Sequence, residues 1–157
     1  YYLIDCYNVH LDFPNTVRKI KLVEAKYPQI TAILIEDKAN GTGIIQTLRD
    51  QLTGIIAVQP DASKEARVNH VSFAIEAGCA YLPRDKKFTW EFIDQCASFP
   101  NGAHDDMVDS MSQALARLIH KRTFRQTMRQ ARRGDFNIPK RINKAKSIGK
   151  GDKIHVI

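Results

Sequence analysis

Three aspartates and a histidine lie within six positions of one another at His104, Asp105, Asp106 and Asp109. A turn at residues 100–102 precedes them and predicts that they open a helix, on which Asp105 and Asp109 share a face. Like charges this close repel, and a divalent cation compensates them more fully than the helix N-terminus does. The alternative is an N-cap aspartate followed by an acidic first turn, which the helix dipole favours without a metal. A metal ligand and a proton shuttle are alternative roles for His104, which is best explained as a residue of the turn.

A second acidic pair, Glu36-Asp37, directly follows the apolar run ITAILI at residues 30–35. Such a run is typical of a strand covered on both faces, and ligands of parallel sheets bind at the carboxyl ends of the strands. If the fold joins this pair to Asp105, Asp106 and Asp109, hard oxygen ligands select Mg²⁺ or Mn²⁺, and two such ions can cleave a phosphodiester. The alternative is that Glu36-Asp37 forms a surface turn before the next helix.

The elements that would position these acids alternate between helical and extended patterns along the chain. Helices are predicted over residues 12–27, 44–52 and 63–77, around Trp90, Phe92 and Ile93, and over 104–133. Strands are predicted over residues 1–7, 30–35 and 55–58, with a short extended segment at 79–82. This alternation predicts an α/β domain with largely parallel central strands.

Composition indicates a globular chain of one domain with a basic extension. Of 157 residues, 43% are hydrophobic and 26% are charged, and we expect no membrane span and no secretion. Cys6, Cys79 and Cys96 form no CxxC pair, which favours reduced thiols over a zinc site.

The positive charge is concentrated at the C-terminus. Residues 120–157 hold 12 of the 24 Lys and Arg residues but 2 of the 17 Asp and Glu residues, so the net charge of this segment is +10. The net charge of residues 1–119 is −3, which gives +7 for the whole chain. We therefore expect a domain over 1–120, and over 121–157 a basic helix extension and arm that binds a polyanion such as DNA. A solubilising tail is the alternative. The candidate DNA contacts of this region are Arg122, Arg125, Arg129, Arg132 and Arg133.

Four spaced segments resemble the C-terminal nuclease domain of phage terminase large subunits. They are ILIEDKANG at 33–41, SKEAR at 63–67, EAGCAYLP at 76–83 and FPNGAHDDMVD at 99–109. The resemblance spans roughly residues 1–120 and implies an RNase H-like mixed sheet flanked by helices. It also implies a metal-dependent endonuclease that cuts concatemeric double-stranded viral DNA in the host cytoplasm. Its implied partners are a terminase ATPase domain, a portal and a small terminase subunit, and no GxxxxGK[ST] phosphate loop of the ATPase is found in this sequence.

The same resemblance implies roles for individual residues. Glu36 would be the family's second metal-binding carboxylate. Asp37 is the alternative residue for this role, because sequence alone does not rank two adjacent acids. Asp105 and Asp106 would supply the third, and Asp109 would support them. The DNA phosphates would be met by Lys64 and Arg67, for which a solvated helix start is the alternative.

One departure from the family concerns its first catalytic aspartate, which lies on a strand ahead of the segment that residues 1–7 resemble. We expect either that the chain is truncated before that strand or that a neighbouring acid compensates. A catalytically incomplete DNA-binding or packaging-assembly module is therefore a second hypothesis. A third arises because residues 3–9 resemble the opening strand of PIN-like ribonucleases, which would make Asp5 catalytic.

Overall fold

The computed structural model describes residues 1–132, in which helices and strands alternate as the sequence predicts. The elements are α1 (Phe13–Lys26), β1 (Ile33–Glu36), α2 (Asn40–Arg49), β2 (Ile55–Val58), α3 (Lys64–Glu76), α4 (Lys87–Ser98) and α5 (Asp106–Arg132). The predicted α/β class is confirmed. Predictions for residues 133–157, including Arg133, lie outside the described residues.

The strands β1 and β2 pair in parallel, with Ile33 opposite Ile55 and Glu36 opposite Val58. The N–H of Asp37 donates to the carbonyl of Val58 over 2.8 Å and continues the ladder one residue past β1. The helix α2 connects the strands, as a parallel pair requires. Of the mixed sheet that the resemblance implies, residues 1–132 contain this parallel pair and one isolated parallel bridge.

That bridge involves the N-terminal segment, and here the predicted strand over residues 1–7 is wrong in its extent. Tyr2 alone bridges to Tyr81, and the two rings stack with their centroids 4.8 Å apart. The partner segment is short because Gly78 adopts a φ of 66° on one side and Pro83, which lacks an N–H donor, follows on the other. Pairing therefore cannot propagate along the segment.

Apolar residues of α1, β1 and α2 form the core beneath the sheet. Ile20, Ile33, Ile44 and Leu48 are buried together, which accounts for the continuous apolar run that leads into β1. The helix α5 docks through the buried Val108 and Leu115.

The predicted helix around Trp90, Phe92 and Ile93 is present as α4, in which Phe92 is buried and Trp90 is 68% exposed. An apolar cleft of about 580 Å³ lies between the N-terminal segment, α4 and α5. Within residues 1–132, no helix has the length and apolar character that crossing a membrane requires.

Candidate active site

The carboxyl end of β1 and the first turn of α5 border one cleft. Glu36, Asp106 and Asp109 line this cleft, which has a volume of about 470 Å³ and is called the acidic cleft below. Its remaining walls come from β1, α1, α2, α5 and the segment between Tyr7 and Leu11. The structure thus brings together acids that lie about 70 positions apart in the sequence, as expected if both groups serve one site.

Glu36 is positioned by both its backbone and its side chain. A side chain on Gly41 would overlap the carbonyl oxygen of Glu36, so only glycine lets the first turn of α2 approach the end of β1 this closely. On the side chain, Oε2 accepts a hydrogen bond of 3.1 Å from Nε2 of Gln113, and Oε1 lies 3.4 Å from Nζ of Lys38. Gln113 therefore joins α5 to the acidic end of β1.

Gln113 was not among the residues that the sequence singled out. The available signal was its spacing, since it lies four residues after Asp109 and so shares a face of α5 with that acid. This spacing alone does not reveal that the facing element is β1, because the contact with Glu36 spans 77 positions.

Asp37 lies outside the acidic cleft. Its Oδ1 accepts a hydrogen bond of 2.7 Å from Thr42 Oγ1 in the first turn of α2. Consecutive residues of an extended strand point to opposite faces, so Glu36 and Asp37 cannot both face the cleft. Of this pair, the structure turns Glu36 toward the other acids.

Asp105 and Asp109 are bound by cations from the start of α3. Lys64 Nζ lies 2.7 Å from Oδ1 and 2.8 Å from Oδ2 of Asp105, and 3.2 Å from Oδ2 of Asp109. Arg67 pairs with Oδ1 of Asp109 through Nη2 and donates to the carbonyl of Ala62 over 2.7 Å through Nη1. The two residues predicted to face DNA phosphates therefore contact the predicted metal-binding carboxylates.

The start of α3 is fixed locally, which sets the position of Lys64. Ser63 caps the helix, its side chain accepting a hydrogen bond of 3.2 Å from the N–H of Ala66. Asp105 takes the equivalent place before α5, where its carbonyl accepts from the N–H of Asp109 over 2.9 Å. The hydrogen bond to Asp105 raises the pKa of Lys64 above its usual value, against the opposing effect of burial.

The remaining predicted acids differ in their surroundings. Asp106 is exposed, and its carboxylate has no hydrogen-bond or ion-pair partner within residues 1–132. Asp5 lies in the N-terminal segment, where its carboxylate accepts hydrogen bonds from Lys26, Tyr7 and Tyr27. His104 is exposed in the turn before α5, as expected for a turn residue.

The basic residues predicted to bind DNA lie on the C-terminal half of α5. Arg122, Arg125 and Arg129 are exposed, and their spacing of three and four positions puts them on one side of the helix. Arg132 is the last residue of α5 that the structure describes. DNA binding by these residues stays a prediction.

A divalent cation fits the chemistry of the donors along the acidic cleft, since carboxylate oxygens are the ligands that Mg²⁺ and Mn²⁺ prefer. The geometry is incomplete for such an ion. Within residues 1–132, no three side chains of His, Cys, Asp or Glu lie close enough together to hold a metal. Two of the acids, Asp105 and Asp109, are instead neutralised by Lys64 and Arg67.

Comparison with known proteins gives one family. A family model described as "Terminase RNaseH-like domain" matches residues 1–118, which include every acid of the candidate site and both cations of α3. Searches of curated proteins and of solved structures gave no significant match. The matched range ends within α5, before the basic residues of its C-terminal half.

Proposed function

Since this chain belongs to the family of terminase RNase H-like domains, we propose that it is the nuclease module of a viral DNA-packaging terminase. In this proposal it cuts concatemeric double-stranded DNA by two-metal phosphodiester hydrolysis, with Mg²⁺ or Mn²⁺ as cofactor. The observation that carries the proposal is that Glu36, Asp106 and Asp109, from two distant parts of a terminase-type chain, line one cleft.

The proposed ligands follow from how each carboxylate is held. Gln113 fixes Oε2 of Glu36, while Oε1 meets only the exposed Lys38 at 3.4 Å. Asp106 projects from the first turn of α5 with no partner among the described residues. Glu36 and Asp106 are therefore the proposed catalytic carboxylates, with Asp105 and Asp109 beside them.

Bound divalent ions would supply an activated water and stabilisation of the leaving oxygen. The protein's own contribution is to fix the acids and to hold the substrate phosphate. Gln113 orients Glu36, and Arg67 orients Asp109 from the side of α3. The N-terminal turn of α5 adds a positive dipole end where the anionic substrate would approach.

The proposed partners and location follow from the family and the charge pattern. Double-stranded DNA is the substrate, and the terminase ATPase domain, the portal and the small terminase subunit are the proposed protein partners. The module would act in the host cytoplasm, where packaging takes place. The exposed Arg122, Arg125 and Arg129 on α5 support a polyanionic partner.

Plasmid cleavage with Mg²⁺ or Mn²⁺ tests the proposed site. We expect Glu36→Gln and Asp106→Asn each to lower the cleavage rate by about two orders of magnitude, since each removes a proposed metal ligand. Glu76→Gln is the matched control, because Glu76 is an exposed acid at the far end of α3. Cleavage that depends on the metal but survives both site variants would rule out the proposed ligands.

A non-catalytic DNA-binding or packaging-assembly module is the second candidate function. The observation in its favour is that Lys64 and Arg67 already neutralise Asp105 and Asp109. This alternative predicts DNA affinity that falls steeply with salt, together with no cleavage and no saturable Mn²⁺ binding. Saturable Mn²⁺ binding that Glu36→Gln abolishes would exclude it.

A further inference from the structure

The wall of the acidic cleft that α1 forms carries a basic side chain, Lys19. Lys19 is half-buried, whereas Lys21, two positions further along the same helix, is exposed. Residues two positions apart lie on different faces of a helix, so Lys19 lines the cleft and Lys21 does not. The cleft therefore combines carboxylates with one ammonium group from a different element.

The ring of Tyr7 holds this ammonium in place. Lys19 Nζ lies 3.5 Å from the centroid of the ring, as in a cation–π contact. The ring is itself fixed, because its hydroxyl donates to Oδ2 of Asp5 over 2.8 Å and accepts from Nζ of Lys26 over 3.0 Å. Both Tyr7 and Lys19 line the cleft. Since the ring carries no charge and covers one side of a group with three donors, the ammonium keeps its charge and donors for a ligand.

Lys19 differs from the other cations that border the candidate site. Lys38, Lys64 and Arg67 each pair with a carboxylate. Within residues 1–132, no carboxylate lies within ion-pair distance of Lys19. Burial removes part of the hydration of a charged group, so an anion supplied by a ligand would stabilise this ammonium.

The acids of the cleft leave room for such an anion. Arg67 pairs with Asp109, and Lys38 lies 3.4 Å from a carboxylate oxygen of Glu36. The carboxylate of Asp106 has no partner among the described residues, and its charge is opposite to that of Lys19. The net charge around the cleft is therefore close to zero, and the side that Lys19 occupies is its positive side.

We propose that Lys19 binds a phosphate of the DNA backbone in the acidic cleft and that Tyr7 positions the ammonium for this contact. The choice of DNA as the anion rests on the proposed function. The phosphate meets the ammonium directly, so the contact requires no bound ion. It would hold the backbone at the cleft itself, whereas the basic residues of α5 lie on the C-terminal half of that helix.

The first test measures the affinity of the full chain for a short DNA duplex across a salt series in EDTA, by fluorescence anisotropy. Lys19→Met should reduce the slope of log K against log salt by about 0.9, the value of one phosphate contact. Lys19→Arg keeps the charge and should keep the slope. Lys21→Met is the matched control on the other side of α1 and should leave the slope unchanged. Equal slopes in the wild type and Lys19→Met, or equal reductions in Lys19→Met and Lys21→Met, would overturn the proposal.

The second test asks whether Tyr7 acts through Lys19. Tyr7→Leu removes the ring and should weaken duplex binding about two- to fivefold at constant salt, the range expected for one cation–π contact. Tyr7→Phe keeps the ring and should bind close to the wild type. In a Lys19→Met background, Tyr7→Leu should have no further effect, because the ammonium that the ring positions is gone. Equal losses from Tyr7→Leu in both backgrounds would contradict the positioning role.

Circular dichroism verifies that each variant is folded, and Lys19→Gln replaces Lys19→Met, with the same expected slope, if the latter is not. Plasmid cleavage separates this inference from the proposed function. A chain whose DNA affinity depends on Lys19 but which does not cut DNA would refute the nuclease and leave the phosphate contact standing. A chain that cuts DNA, with the same salt slope and KM in Lys19→Met as in the wild type, would refute the phosphate contact alone. Absence of any DNA binding by the wild type would overturn both.

Discussion

Among the acids of residues 1–132, Asp5 is the one whose surroundings most strongly stabilise its charge. Lys26 Nζ lies 2.7 Å from Oδ2, and the hydroxyls of Tyr7 and Tyr27 each donate to the same oxygen over 2.8 Å. Burial alone would raise the pKa of Asp5, but these hydrogen bonds outweigh it and hold the pKa well below the usual value of 3.8. The network ties the N-terminal segment to α1. The network therefore explains Asp5 as a structural residue, whereas the ribonuclease hypothesis assigns it a catalytic role.

Asp5→Asn is expected to lower the free energy of unfolding at pH 7 by about 1–2 kcal/mol, because charge-assisted hydrogen bonds are lost. A lowered folded-state pKa means that the stabilisation is complete above the unfolded pKa of 3.8 and is lost as the pH falls through the folded pKa below it. Urea unfolding of both proteins should thus give a constant difference from pH 5 to 8. The difference should shrink progressively below pH 4.

The control for this prediction is Asp61→Asn, an exposed acid in the loop before α3. It should change the stability by less than about 0.5 kcal/mol at any pH. If Asp5→Asn and Asp61→Asn behave alike at pH 7, the network around Asp5 does not stabilise the fold. A difference that grows on acidification would contradict the direction of the Asp5 pKa.

Residue patterns in the sequence singled out the acids of the candidate site but not their partners. The apolar run before Glu36 predicted a buried strand, and this prediction put Glu36 at the carboxyl end of that strand. Which of Glu36 and Asp37 faces the cleft depends on the strand's orientation against α5, and sequence alone does not encode this in readable form. The pairing of Lys64 with Asp105 likewise arises only when α3 and α5 pack with their first turns together.

At the scale of elements, the approach of α2 to β1 depends on Gly41. Gly41→Ala puts a methyl group onto the carbonyl oxygen of Glu36, which is backbone and cannot rotate away. We expect a loss of about 1–3 kcal/mol in the free energy of unfolding, typical of overpacking, as α2 shifts from the end of β1. Because that shift also moves Glu36, the proposed DNA cleavage should fall by more than the folded fraction does. Urea unfolding and cleavage rates measure the two effects.

Gly43→Ala is the matched control in the same helix. Its methyl group would lie 3.1 Å from Cε2 of Phe13, an exposed ring that can move by a few tenths of an ångström. We expect Gly43→Ala to be neutral or slightly stabilising, since alanine favours the helix over glycine. Equal losses of stability in the two variants would show that helix propensity, and not contact with Glu36, decides the effect at Gly41.

Elements with local signals were predictable, and those that depend on distant partners were less so. Asp12 and Ser63 cap α1 and α3 as their types and positions indicate, because capping involves residues only three positions apart. The N-terminal segment has a strand-like sequence, yet it pairs at Tyr2 alone since its partner lies about 80 positions away and is short. Trp90 has helical spacing but remains exposed because nothing in the described residues covers that side of α4.

At the scale of the whole molecule, α5 joins the acidic cleft to a basic surface. Asp106 and Asp109 lie in its first turn, and Arg122, Arg125 and Arg129 lie on its C-terminal half. At 1.5 Å per residue, Asp106 and Arg129 are about 35 Å apart along the helix, close to one turn of duplex DNA. A single rigid element thus fixes the distance between the candidate site of chemistry and a candidate site of phosphate contact.

This arrangement predicts that the basic surface contributes to DNA affinity independently of the acidic cleft. Combining Arg122→Gln, Arg125→Gln and Arg129→Gln should weaken duplex binding and reduce the slope of log K against log salt by about 2–3, since each phosphate contact contributes about 0.9. Mn²⁺ affinity without DNA should stay unchanged because these arginines lie far along α5 from Glu36. Fluorescence anisotropy across a salt series and calorimetry provide the two measurements.

The matched control neutralises three exposed cations on other elements, Lys21 of α1, Arg49 of α2 and Lys87 of α4, and so removes the same net charge. If DNA binds along α5, this control should reduce the slope by less than 1, because the three residues do not form a continuous surface with the helix. Equal slopes in the two triple variants would mean that DNA responds only to the net charge of the molecule. The position of the arginines on α5 would then have no part in orienting the substrate over the acidic cleft.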